Sequence, residues 1–267
     1  MQKYYEKIRG KEKMDKKYEF TGKTIEVCGR VLHRIKALRN FGFVQAGELG
    51  GFIEKEDNLS HEGNAWVFGN AKVYGNAQVH GNARVCDNAR VYGNAQVYGY
   101  AEVYDKARIG DNAWVYGRAR VRDNAEVYDN AWVFGDAEVY GDAKAHGSVW
   151  IGGYAKVYGD AEVYGNAEIH GDACICNNAT ISCNDDYICF NGFGSENRNT
   201  TMFRCSFKYS DDIMVRCGCF SGALTDFEKK VKETHGDSKY AKEYLACIEA
   251  AKIHFGIKDN SKSQAKS

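Results

Sequence analysis

From Gly63 to Ile181 the apolar positions recur every six residues. An aliphatic residue stands at Val67 and at each sixth position to Ile181, with Ala145 the smallest of them. Two places before each stands a small residue, alanine from Ala65 to Ala179 except for Val149. The unit Ala-x-Val-Tyr reads as a short extended segment, with Ala and Val facing in and x and Tyr facing out. Gly-Asn, Asp-Asn or Gly-Asp follows, and these residues tolerate the left-handed backbone angles of a tight corner. Self-similarity at so short a fixed period predicts a solenoid, and a hexapeptide period predicts a parallel β-helix.

The units themselves, such as Val91-Tyr92-Gly93-Asn94-Ala95 and Ile109-Gly110-Asp111-Asn112-Ala113, resemble those of the left-handed β-helix, or hexapeptide-repeat, family. The resemblance covers nearly half the chain. It implies triangular coils of three units, eighteen residues each, stacked at about 4.8 Å. The expected fold is mainly β: a left-handed parallel β-helix solenoid of a little over six coils, with an N-terminal β cap and a small C-terminal α+β domain. The expected boundaries are a flexible arm (1–17), the cap (18–62), the solenoid (63–182), the α+β domain (183–257) and a polar tail (258–267).

The ends carry other patterns. Tyr18–Phe20, Thr24–Val27 and Val31–Ile35 alternate like half-buried strands, and Phe41–Val44 and Gly50–Ile53 complete the cap. After the solenoid, Tyr187–Phe190, Met202–Phe207 and Ile213–Cys217 read as strands, with a polar loop from Gly192 to Thr201. Thr225-Asp226-Phe227-Glu228 has the spacing of a capping box and predicts a helix running toward His235. A second helix is expected from Lys239 to Phe255, with Tyr240, Tyr244, Leu245, Ile248 and Ala251 on one stripe.

Sorting the outward residues by eighteen separates three faces. The first (Trp66/Phe68, Arg84/Cys86, Glu102/Tyr104, Arg120/Arg122 and onward to Cys174/Cys176) and the second (from Lys72/Tyr74 to Thr180/Ser182) are charged on almost every coil. The third carries Gln78/His80, Gln96/Tyr98, Trp114/Tyr116, Trp132/Phe134, Trp150/Gly152 and Glu168/His170. Before Glu168 it holds no charge apart from any proton on His80, and three of the four tryptophans share one column. Such a patch is of the size that marks an interaction site. Left-handed β-helices commonly form parallel trimers, so the resemblance implies homotrimerisation through or beside this face. The alternative is an aromatic ladder that only stabilises the solenoid.

The corner after the third face is also unusual. Its second turn residue runs Asn82, Tyr100, Arg118, Asp136, Tyr154 and Asp172, with Arg120 and Arg122 following Arg118. Between two subunits, such a corner would form a cleft with aromatic walls and an arginine floor. Aromatic rings stack on planar bases and guanidinium binds phosphate bidentately. The candidate ligand-binding residues are therefore Tyr98, Tyr100, Trp114, Tyr116, Arg118, Arg120, Arg122, Trp132, Phe134, Trp150 and Tyr154. The alternative at the corner is an Arg118–Asp136 ion pair with the tyrosines packed on their neighbours.

Composition narrows the field. Thirty-six basic and thirty-six acidic residues cancel, so no general attraction to long nucleic acid or an anionic membrane is expected. No apolar run is long enough to span a bilayer, and the ten cysteines follow no secreted framework, which predicts reduced thiols in a cytosol. No cofactor or metal is expected. Many hexapeptide-repeat proteins are acyltransferases with a histidine beside a loop that interrupts the coils. Here the register from Val67 to Ile181 leaves no room for such a loop, and His80 and His170 lie five coils apart. Cys217-Gly218-Cys219, with Cys205 or His235, lacks the paired spacing of common zinc sites. Cys174 and Cys176 read as surface thiols. The stretch Leu32–Glu62, with Leu32-His33-Arg34-Ile35, Gly47-Glu48-Leu49-Gly50-Gly51 and Leu59-Ser60-His61-Glu62-Gly63, resembles the lead-in of solenoid proteins common in phages and low-GC bacteria. The expected function is a non-enzymatic homotrimer that sequesters a small anionic ligand, a cyclic or linear signalling nucleotide of host antiviral immunity, in inter-subunit clefts. An acyltransferase and a ligand-free structural scaffold remain the alternatives.

Overall fold

The computed structural model describes residues 16–207 and 210–257. Residues 1–15 of the expected arm and the expected tail, 258–267, lie outside the described residues.

Twenty two-residue strands, from Trp66–Val67 to Thr180–Ile181, make a parallel β-helix of nearly seven coils. Each pairs in parallel with the strand eighteen residues on, as in Glu102↔Arg120, Arg108↔Glu126 and Trp114↔Trp132. The three columns are the three faces expected from the sequence. Inside, the repeated alanines and aliphatics from Ala65 to Ile181 are almost wholly shielded from solvent and form one continuous core. Each buried valine contributes on the order of 1.5–3 kcal/mol by leaving water. Outside, charges on the first two faces answer one another from coil to coil. Arg84 meets Glu102 at 3.0 Å and Arg108 meets Glu126 at 2.8 Å.

The N-terminal cap is a long antiparallel hairpin, Tyr18–Val27 with Arg30–Ala37, followed by Leu49–Ile53. Leu49–Ile53 pairs in parallel with Lys72–Val73, and Leu59 bridges Val79. Ile53 and Leu59 thus occupy the inward positions of an irregular first coil; they keep the six-residue spacing but lie twenty residues, not eighteen, before their partners Val73 and Val79. Phe41–Val44 is a turn closed by a single bridge and not a strand. Lys17, assigned to the arm by the sequence, is buried, and its Nζ donates to the Ala65 carbonyl at 2.8 Å. Asn58 does the same for Ala77 at 2.8 Å. The open edge of a solenoid leaves carbonyls without the next coil, and these side chains supply the missing donors. Trp66, counted among outward residues, is also fully buried, with Phe41 and Tyr18 packed edge-on against it.

At the other end a four-stranded antiparallel sheet (Tyr187–Phe193, Arg198–Phe207, Ser210–Cys217, Phe220–Ala223) closes the core. Phe203 points into the solenoid core, and its neighbour Met202 faces the opposite layer. That layer holds helices α1 (Leu224–His235) and α2 (Lys239–His254). The expected capping box at Thr225 does not form. The last strand runs straight into α1, so Ala223 takes the N-cap position without a side-chain hydrogen bond and Thr225 falls inside the first turn. Ser238 does cap α2, accepting from the Ala241 N–H at 3.3 Å. The expected polar loop 192–201 contracts to a short turn, with the strand resuming at Arg198.

Candidate functional site: an uncharged aromatic face and its edges

The third face carries two interlocked ladders. Trp114, Trp132 and Trp150 stack at 5.0 and 5.3 Å with interplanar angles of 4° and 7°. Beside them His80, Tyr98, Tyr116 and Phe134 stack at 4.9, 5.0 and 5.4 Å. The coil rise dictates this spacing. Between ladders the rings meet edge to face, Tyr98 on Trp114 at 6.1 Å and Tyr116 on Trp132 at 6.3 Å, both at 77°. That arrangement sets positive ring edges against negative faces. The upper end is closed by Gly152, whose bare Cα lies under the Phe134 ring. Trp114 and Trp132 are half-buried, whereas Trp150 is 43% exposed. Burial lowers the His80 pKa from its ordinary value of 6.5, so the imidazole is neutral at pH 7. From Gln78 to Gly152 the face therefore presents no charge, until Glu168 and His170 face each other at 3.6 Å.

The corner residues stand at the edge of this face. Tyr100 is 64% exposed, Tyr154 63%, and the Arg118 side chain 77%. Arg118 reaches Asp136 only at 3.8 Å, a separation at which an exposed pair contributes little. Arg120 and Arg122 lie round the corner on the first face and are already engaged. Arg120 lies 3.6 Å from Glu102 and 3.8 Å from Glu138. Arg122 bonds Asp123 at 2.9 Å and covers the Tyr140 ring at 4.0 Å. The structure thus gathers Tyr98, Trp114, Tyr116, Trp132, Phe134 and Trp150 into one surface, edged by Tyr100, Arg118 and Tyr154. Arg120 and Arg122 belong to a separate ionic ladder.

Two clefts open where the caps meet the first face. Near the N-terminal cap, a cleft of about 220 Å³ lies between Phe43, Phe68 and Tyr100, with the Arg84 guanidinium 5.6 Å from both phenylalanine rings. Near the C-terminal sheet, a cleft of about 520 Å³ is lined by Tyr140, Tyr154, Lys156, Tyr158 and Arg216. Of these only Tyr154 was singled out from the sequence. Lys156 and Tyr158 were legible as outward residues, but Arg216 joins them only because the sheet docks on the last coils. The same docking corrects the reading of Cys174 and Cys176 as surface thiols. Cys176 is buried, and Cys174 is half-buried with its N–H donated to Thr201 Oγ1 at 3.0 Å. Burial raises the Cys176 thiol pKa, and burial beside both thiols pushes the Tyr158 hydroxyl well above the usual phenol range. Both groups are neutral at physiological pH.

The histidines do not converge. His80 is stacked in the aromatic ladder, His146 lies between Tyr128 and Tyr164 on the second face, and His235 packs on Tyr244 in the C-terminal domain. Cys217 is buried and accepts from Thr200 Oγ1 at 3.1 Å, while Cys219 is exposed. Among the described residues no three His, Cys, Asp or Glu side chains are grouped to hold a metal ion. No helix among them is long and apolar enough to cross a membrane.

No curated protein matches the chain. One coil of the solenoid, residues 83–99, matches the family model described as the YdcK Beta solenoid repeat. With that match and its stacked coils of parallel strands, the chain is a β-solenoid repeat protein.

Proposed function

We propose that the chain is a non-enzymatic binding protein that assembles as a homotrimer through or beside its tryptophan face and holds a small planar anion, a signalling nucleotide, near the aromatic edges of that face. The observation that carries the reading is the contrast between faces. Two are studded with charges that pair along the solenoid, and the third is an uncharged double ladder of aromatic rings with Trp150 open to solvent. Aromatic residues are enriched where protein surfaces meet, and charged residues are depleted there. Exposed Tyr100, Tyr154 and Arg118 beside the ladder supply stacking and phosphate-binding groups without disturbing the contact surface.

Sedimentation equilibrium at micromolar concentration tests the assembly. The expected mass is three times that of the chain, and Trp132→Glu should give monomers with an unchanged far-ultraviolet spectrum. A monomeric wild type would overturn the trimer. Mass spectrometry of what denatured protein releases, after incubation with nucleotides and acetyl-CoA, tests the ligand. An intact nucleotide in fixed ratio to chain supports sequestration. A cleaved nucleotide or a transferred acyl group would make the protein an enzyme and overturn the reading.

A further inference from the structure

We infer that the cleft between the last coils and the C-terminal sheet is a binding site, formed within a single chain, for a small aromatic anion of nucleoside-monophosphate size. This deepens the proposed function and rests on its reading of a planar anionic ligand. It moves the phosphate-binding groups from the corner arginines to residues that the sequence did not group.

The cleft has one wall from each structural unit. The solenoid supplies Tyr154, Lys156 and Tyr158 on one coil and Asp172 on the next. The sheet supplies Arg216, whose strand neighbour Thr201 also lines the space. The walls are pinned to each other. Cys174 donates its N–H to Thr201 Oγ1 at 3.0 Å, Asn177 donates to Ser221 Oγ at 3.3 Å, and Ala179 bridges Cys205. A cleft held by such cross-links needs little reorganisation to receive a ligand. Its volume, about 520 Å³, is in the range of small-molecule sites.

Its chemistry is specific. Among the described residues, neither Lys156 nor Arg216 has a carboxylate within ion-pairing distance. The acidic residue nearest in the column, Glu138, lies closest to Arg120 and Arg122. Arg216 instead rests against the Cys174 side chain and near the Tyr158 hydroxyl, which burial holds in its neutral form. Two cations without an ion-pair partner facing one cleft attract a phosphate, and the guanidinium can take it through paired hydrogen bonds. Tyr140 and Tyr158 already stack on each other at 4.8 Å, so the ring left to receive a base is Tyr154. Asp172, at the same rim, suits the hydroxyl or amino donors of such a ligand. Lone phosphate would leave the tyrosine and the carboxylate unused.

Calorimetric titration of the full chain with 5′-AMP, with adenosine and inorganic pyrophosphate as comparisons, tests the inference. One AMP per chain is expected, with adenosine weaker by about ten-fold or more. Lys156→Gln and Arg216→Gln should each weaken AMP by about ten-fold or more, and Tyr154→Ala should weaken AMP but not pyrophosphate. Lys156 is exposed, so its loss does not threaten folding even if Arg216→Gln disturbs the sheet. Lys144→Gln, on the second face, should bind as wild type. AMP binding that is lost in Arg118→Gln and retained in Lys156→Gln and Arg216→Gln would overturn the cleft and leave the corner as the ligand site. Failure of AMP to bind at millimolar concentration would also overturn the cleft, while the trimer and released-ligand measurements would still decide the broader reading.

Discussion

At the corners of the solenoid the backbone enters the left-handed region, and the residue chosen there does more than tolerate it. Asp87, Asp105 and Asp123 stand one above another with φ of 60°, 57° and 60°. Each carboxylate reaches the backbone N–H of the next coil, at Asp105, Asp123 and Gly141, over 3.4, 3.3 and 3.1 Å. Aspartate is thus an alternative to glycine that trades backbone ease for a hydrogen bond between coils. Gly152 is a different case, because its φ is ordinary and the constraint is space. A methyl group there would overlap the Phe134 ring lying across it. Gly152→Ala should therefore cost about 1–3 kcal/mol of stability. Phe134→Ala introduced with it should cost less than the two single changes added together, since the clash vanishes with the ring. Additive costs in denaturant melts would show that the ring does not rest on the glycine.

At the scale of elements, the N-terminal cap has a titratable joint. His61 stacks on Tyr18 at 4.3 Å, and its Nδ1 accepts the Lys17 N–H at 3.2 Å. An accepting Nδ1 requires the neutral ring. Burial lowers the His61 pKa below 6.5, outweighing the opposing attraction of Glu56. A histidine whose folded pKa is depressed binds a proton more readily when unfolded. Its stabilising contribution is therefore complete above pH 6.5 and falls as pH drops from there through the folded value. Hydrogen exchange should show the hairpin Tyr18–Ala37 losing protection between pH 7 and 5 while mid-solenoid strands keep theirs. His61→Gln should remove that pH step; its persistence would assign it to another group. The joint was not legible beforehand, and the reason is physical. A six-residue period announces the solenoid, and addition of eighteen announces its faces, because every coil repeats the same contacts. The contacts of the caps occur once. Nothing periodic marks Lys17 as a plug for the Ala65 carbonyl, or Phe220–Ala223 as the fourth strand that displaces the expected cap at Thr225. The aromatic ladders were visible for the same reason that the solenoid was, and the cleft at Arg216 was hidden for the same reason that the caps were.

For the whole molecule, the consequence of this division is that stability is nearly one-dimensional. Each coil touches its two neighbours, so the loss of an end unravels the structure from that end. The C-terminal sheet is such an end cap, and Phe203 is its fully buried plug in the solenoid core. Truncating a buried phenylalanine to alanine costs about 3–5 kcal/mol. In a globular core that cost would be shared by every part of a cooperative unit. Here the terminal coils should bear most of it. Phe203→Ala should lower hydrogen-exchange protection first in the strands at Thr180, Cys174 and Glu168, less at Glu138, and hardly at Arg84. The cleft lined by Tyr154 and Arg216 would loosen with them, since its walls are held together at Thr201 and Ser221. In the proposed trimer the tryptophan ladder, whose centre at Trp132 lies two coils below Glu168, should still hold the subunits together. Equal loss of protection along all coils would mean that the solenoid folds as a single unit, with the C-terminal domain acting as more than a lid.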